Sequence, residues 1–260
     1  MHNLHRLIKS AEPSIPPEES LLYELDKVIS ETEISDRQKK STSRHYKPSS
    51  LNCLRMMWFY KKGVEKDTVQ TRTSSELGVL ESGSDRHNRI QKWLLKLSEK
   101  KNNWKYWDVT EYVNKFKPKG VIVKHKFGNE TLCYNEIYDL SFMCDGLLEY
   151  KGKFYILEIK TENAFKWFKR NAADEKHLYQ GTCYSISFGI DEVIYLYECR
   201  DDCKKKAFLV KIDKAKKEKL ISQIENCEYY LSKDKVPPAK KEQSICKWCE
   251  YQTVCSKEKK

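Results

Sequence analysis

Phe154-Tyr155-Ile156-Leu157-Glu158-Ile159-Lys160 reads as a short apolar strand that ends in two opposite charges separated by one residue. Side chains alternate along a strand, so Glu158 and Lys160 project to the same face. Upstream, Ile137 to Cys144 is another strand-like run, with Asp145 at its end and Gly146 after it. A hairpin turning near Lys151-Gly152-Lys153 brings Asp145 beside Glu158. Two hard carboxylates and one amine on adjacent strands suit Mg²⁺ or Mn²⁺ and the water that such an ion activates.

Around this hairpin the pattern predicts strands over Val121–Phe127, Thr131–Tyr134, Ile137–Cys144 and Lys153–Lys160, with turn signals such as Gly128-Asn129 between them. Asp174 to Ser187 reads as a helix, with Gln180 and Tyr184 four apart on one face. Glu192 to Cys199 alternates as a strand, Ala207 to Ile212 pairs with it, and Asp213 to Leu231 is a charged amphipathic helix. The expected fold is therefore α/β, a mixed central sheet flanked by helices. Glu76 to Lys101 reads as one long helix. Leu80, His87 and Leu94 recur every seven residues, beside Leu77, Ile90 and Leu97, which places His87 on the buried stripe. A lone histidine there is ordinarily a hydrogen-bonded core residue, though Gly83, one turn earlier, permits close backbone approach.

Cysteines form a further pattern. Cys246-x2-Cys249-x5-Cys255 closes the chain, and Cys53 stands alone in Pro48-Ser49-Ser50-Leu51-Asn52-Cys53-Leu54-Arg55, which looks like a helix start with a serine N-cap. Three clustered thiolates leave one position short of four, and four thiolates suit a tetrahedral zinc as well as an iron–sulfur cluster. Cys133, Cys144, Cys183, Cys199, Cys203 and Cys227 lack ligand spacing and are expected mostly as small buried apolar residues. Met1 to Ser20 holds no apolar run of signal-peptide type, and no stretch approaches a membrane span. The expectation is a cytoplasmic protein without a membrane partner, whose thiols stay reduced.

With 39% hydrophobic residues, the 260-residue chain can build a real core. Its net charge of +11 suits a polyanionic partner such as DNA, although lysine-rich surfaces also serve solubility. No glycine-rich phosphate loop ending in Lys-Ser/Thr is present, so any unwinding would come from a partner. Three regions are expected. Residues 1–46 form an N-terminal helical extension and linker: Pro13 to Pro17 is breaker-rich, Leu21, Leu22, Leu25, Val28 and Ile29 make a helical stripe expected to pack, and Asp36 to Arg44 is polar. Residues 47–235 form the core. Residues 236–260 carry the cysteines back toward Cys53.

The ordered set Asp145, Glu158-x-Lys160 and Gln180-x3-Tyr184 resembles the PD-(D/E)XK nuclease superfamily, specifically its RecB-like branch. One N-terminal and three C-terminal cysteines are similar to that branch's iron–sulfur nucleases, the AddB nuclease domain and the CRISPR-associated Cas-four family. The resemblance implies a restriction-endonuclease-like core and a 4Fe–4S cluster on Cys53, Cys246, Cys249 and Cys255, with zinc as the alternative. Such a cluster would act as a clasp, since closing so long a loop removes on the order of 5 kcal/mol of denatured-state entropy in the disulfide analogy. Gly83-x3-His87 matches the segment that supplies a metal-binding histidine in the related families. His87, Asp145, Glu158 and the Ile159 carbonyl would then hold the divalent ion, and Lys160 would orient or deprotonate the water.

By the same resemblance, Gln180 and Tyr184 contact the DNA strand near the scissile phosphate and support Lys160 or the metal. Lys166, Lys169 and Arg170 would track the phosphate backbone. Trp167 and Phe168 would either stack on single-stranded bases or form an apolar lid. The implied function is a metal-dependent DNA exonuclease acting on single strands or ends in recombination, repair or spacer processing. Two alternatives stand beside it. One is a DNA-end-binding subunit with a recombination, helicase or integrase protein as partner; the other is a zinc-stabilised module that binds nucleic acid without cutting.

Overall fold

A computed structural model describes residues 16–38, 44–67, 73–239, 243–247 and 249–257. Parts of the breaker-rich stretch (13–15), of the polar linker (39–43) and of the cysteine segment (240–242, 248, 258–260) lie outside the described residues. The chain runs through Pro17–Gln38 (α1), Leu54–Lys62 (α2), Ser74–Lys100 (α3), Trp104–Trp107 (β1), Val109–Phe116 (α4), Val121–Phe127 (β2), Glu130–Asn135 (β3) and Leu140–Met143 (β4). It continues with Gly146–Tyr150 (β5), Lys153–Glu162 (β6), Ala164–Lys169 (α5), Glu175–Phe188 (α6), Glu192–Cys199 (β7), Lys205–Lys211 (β8), Lys214–Ser232 (α7), Gln243–Cys246 (α8) and Gln252–Lys257 (α9).

The expected hairpin is β5–β6. Tyr150 pairs with Lys153, and the two residues between them, Lys151 (φ 50°) and Gly152 (φ 81°), are both left-handed, the geometry that matches the twist of an antiparallel pair. The five-stranded sheet has the order β1-β5-β6-β7-β8, and β6 runs parallel to β7 while the other neighbours are antiparallel. The β6-to-β7 crossover carries α5 and α6. With its flanking helices this is a mixed α/β fold, as expected. A separate antiparallel sheet, β2-β3-β4, holds the next block.

Two readings are corrected. Ile137–Cys144 is not one strand: only Leu140–Met143 is, and it pairs with β3 in the smaller sheet. Asp139 at φ 49° breaks the run, its carboxylate held by His45, Lys61 and Tyr134. Tyr46, assigned to the linker, is a core residue with 0% exposure that bridges to Leu140 and donates to Glu228 Oε1 at 2.6 Å.

The described residues fall into two compact units, one drawn from residues up to 42 and from 70–81, the other from 43–69 and from 82 onward. The first holds α1 and the start of α3, where Ser74 Oγ bonds Asp26 Oδ1. The second holds both sheets, and its main core gathers Leu51, Met57, Phe59, Phe142, Leu147, Ile156, Tyr184 and Tyr195. Among the described residues, no helix is long and apolar enough to cross a membrane.

Candidate active site

Gly146 pairs with Leu157, so the next position outward sets Asp145 against Glu158. β5 ends there, and from Glu158 to Glu162 strand β6 pairs only with β7. One edge of β6 is therefore open beside Asp145, and the Ile159 N–H fills it by donating to Asp145 Oδ2 at 2.6 Å. Backbone N–H and C=O of one strand residue point to the same side, so the Ile159 carbonyl is directed to this edge as well. Gly146 (φ 148°) is required: a Cβ there would stand 2.4 Å from the Tyr106 ring.

Besides the Ile159 N–H, two elements grip Asp145. Its carbonyl accepts from Gln91 Nε2 of α3 and from the Tyr106 hydroxyl of β1, both at 2.8 Å, and His87 Nδ1 lies 2.8 Å from its Oδ1. α3 is itself tied to β7, because Arg86 and Arg89, on either side of His87, both pair with the fully buried Glu198. Gln91 and Tyr106 were not singled out from the sequence. Gln91 lies one turn beyond His87 on the same helical face, a spacing that would have found it. β1 is only four residues long and gives no such signal.

Glu158 is buried and paired with Lys160, two residues on along the same face. Burial pushes the Glu158 carboxyl up to about 7, with the Asp145 charge adding to it against the pull of Lys160 and His87. Burial also works against the Lys160 ammonium, but Glu158 and Asp145 outweigh it and hold Lys160 above its ordinary value. At His87 burial lowers the value, while the hydrogen bond to Asp145 and the charges of Asp145 and Glu158 raise it overall. Two carboxylates, one of them hard to ionise, an imidazole and a directed carbonyl make a donor set whose negative charge a divalent cation would relieve.

Lys160 opens onto a basin of about 600 Å³ that is also lined by Lys166, Lys169, Lys176, His177 and Arg200. Lys166 and Lys169 are exposed there. Other expected DNA contacts are placed differently. Trp167 is only 7% exposed and lies in the main core with Lys206 Nζ 4.3 Å from its ring centroid, whereas its neighbour Phe168 is 65% exposed. Arg170 is committed to Glu162 (Nε to Oε2, 2.6 Å) and Asp174 and lies over the Tyr197 ring. Tyr184 is 1% exposed and donates to the Met143 carbonyl at 2.6 Å, which bars it from a DNA strand. Its hydroxyl instead fixes the chain two residues before Asp145. Gln180 lines a different basin, of about 1030 Å³, with Tyr60, Tyr179, Lys219 and Cys249.

Cys53 caps α2 in place of the expected serine, Cys246 ends α8, and Cys249 N–H donates to the Cys246 carbonyl at 3.2 Å. Burial pushes the Cys249 thiol up, and Cys53, Cys255 and Cys246 are near enough to add to the shift. Buried Arg55 donates to the Cys255 carbonyl at 3.1 Å and lies 3.6 Å from its Sγ. No disulfide joins these residues. As placed, no three His, Cys, Asp or Glu side chains among the described residues are drawn into a ligating arrangement, at the cysteines or at Asp145.

No known family profile matches the chain, and no curated protein matches it in sequence. Three solved structures are similar in backbone outline. The crystal structure of SSO0001 is 12% identical with a TM-score of 0.47, covering 89% of this chain and 96% of its own. LHK-Exo in complex with dAMP is 12% identical with a TM-score of 0.44, covering 74% and 90%. The alkaline exonuclease LHK-Exo from Laribacter hongkongensis is 12% identical with a TM-score of 0.43 and the same coverage. At these values the similarity is one of outline, and the chemistry of this chain rests on its own residues.

Proposed function

We propose that this chain is a divalent-metal-dependent deoxyribonuclease with a restriction-endonuclease-like core, working as an exonuclease on single strands or DNA ends. The observation that carries it is the meeting of Asp145, Glu158, Lys160 and His87 at the open edge of β6. His87, Asp145, Glu158 and the Ile159 carbonyl would hold Mg²⁺ or Mn²⁺. When bound, such an ion lowers the pKa of a water and polarises the scissile phosphate.

The chain's own residues do the rest. The Lys160 ammonium, paired with Glu158, would orient that water and offset charge building on the phosphate. Gln91 and Tyr106 fix the Asp145 backbone, so its carboxylate keeps one direction. Lys166 and Lys169 bind the backbone of the strand electrostatically, in a basin with a surplus of cations.

Cys53, Cys246, Cys249 and Cys255 fit a 4Fe–4S cluster or, with the same donors, zinc. The mutual influence of Cys53, Cys246 and Cys255 on the Cys249 thiol, with the Arg55 guanidinium beside Cys255, favours a bound thiolate centre, and its contribution would be to clasp the two ends of the core unit. A cytoplasmic setting, where thiols stay reduced, suits it. Digestion of strands labelled at either end, with Mn²⁺ and with each end blocked in turn, tests the function. Cleavage that starts at one free end and stops when that end is blocked is expected; cutting within closed circles would overturn the exonuclease reading.

A further inference from the structure

His177 lines the Lys160 basin, whereas Gln180, on the same helix α6, lines the other one. Beneath the imidazole is Tyr197, with 0% exposure, whose hydroxyl lies 2.8 Å from His177 Nδ1 and accepts the Asp174 N–H at 3.0 Å. A buried hydroxyl needs an acceptor for its own hydrogen, and among the described residues Nδ1 is the one within reach. Nδ1 therefore accepts, and the neutral ring carries its hydrogen on Nε2. Burial, then the charges of Lys160, Arg170 and Lys176, pushes the imidazolium down to about 4 against the pull of Asp174. The ring is neutral near pH 7. With Nδ1 turned to Tyr197, Nε2 on the opposite edge is the nitrogen left for the basin.

We propose that this basin is a phosphate subsite in which the His177 Nε2–H donates to a non-bridging oxygen of the substrate strand beside the Lys160 ammonium. This deepens the nuclease reading and rests on it. Phosphate oxygens accept from neutral and cationic donors alike. A neutral donor adds direction without another positive charge near the carboxylates that would hold the metal. Lys166, Lys169, Lys176 and Arg200 supply the long-range attraction, while Arg170 pairs with Glu162 and Asp174 and offsets part of their negative charge.

The test compares wild type, His177→Gln and His177→Phe in binding a labelled oligonucleotide with Ca²⁺ in place of Mn²⁺. His177→Phe is expected to weaken binding about tenfold or more, the loss of one hydrogen bond to a charged group. His177→Gln, which keeps a donor, should stay near wild type, and the change in Mn²⁺ turnover should fall on KM more than on kcat. Loss in His177→Phe for strands with and without a terminal phosphate would place an internal phosphodiester in the subsite; loss only with it would place the terminal phosphate there. Unchanged binding by His177→Phe, or equal loss in both variants, would overturn the proposal.

Nitrogen-15 NMR of wild type needs no variant to fold. It should show an Nε2–H ring whose signal moves when oligonucleotide is added, and an Nδ1–H ring or an unmoved signal would count against the subsite. A wild type that binds DNA but never cuts it would end the nuclease reading while leaving the binding comparison intact.

Discussion

Asp145 shows why single residues of this site were legible to different degrees. The carboxylates and Lys160 could be read because two charges interrupt an apolar run at strand spacing. Tyr184 could be found but not assigned, since four-residue spacing gives a helix face and not which layer that face meets. His177 could not be seen at all. Its character comes from Tyr197, twenty residues away on β7. That environment makes a pH prediction. The folded value, about 4, lies below that of a free histidine, so between about pH 6.5 and 4 the unfolded chain takes up a proton that the folded chain does not. The stability contributed is complete above that window and lost as pH falls through it. Thermal melts of wild type should therefore drop more steeply than those of His177→Gln from pH 6.5 to 4; parallel curves would contradict the buried neutral ring.

At the scale of elements, the turn at Lys151-Gly152 and strand β6 were read because turn residues and alternation agree there, but the strand before the turn was placed at Ile137–Cys144 and β5 itself was missed. β1 and α4 were missed. Four residues, Trp104 to Trp107, are too few for a period, although the helix after them carries a cap signal in Asp108, which accepts from the Thr110 and Glu111 N–H groups. α6 sits close on β7 because Gly181 permits it: a Cβ there would lie 2.1 Å from the Tyr195 hydroxyl oxygen and 3.3 Å from Val193. Gly181→Ala is expected to cost about 1–3 kcal/mol in denaturant unfolding. Removing the obstructing hydroxyl in Gly181→Ala/Tyr195→Phe should return part of it. An additive double mutant would show that the helix does not depend on this contact.

On the scale of the whole molecule, the net charge of +11 and the cysteine spacing are what suggest a DNA partner and a clasp. Replacing Cys53 with serine should bleach a brown protein absorbing near ~400 nm and leave it protease-sensitive, while Cys203→Ser should do neither. Full colour in Cys53→Ser would remove that residue from the ligand set, and a colourless, zinc-bearing wild type would favour zinc. The central claim concerns the divalent metal proposed for the open edge of β6. Its most direct test is the Mn²⁺-dependent digestion rate of one labelled DNA strand by wild type and by Glu158→Gln, each checked for a folded circular-dichroism spectrum. A loss of roughly 10²-fold or more in the variant is predicted, and equal digestion by the two proteins would contradict the account.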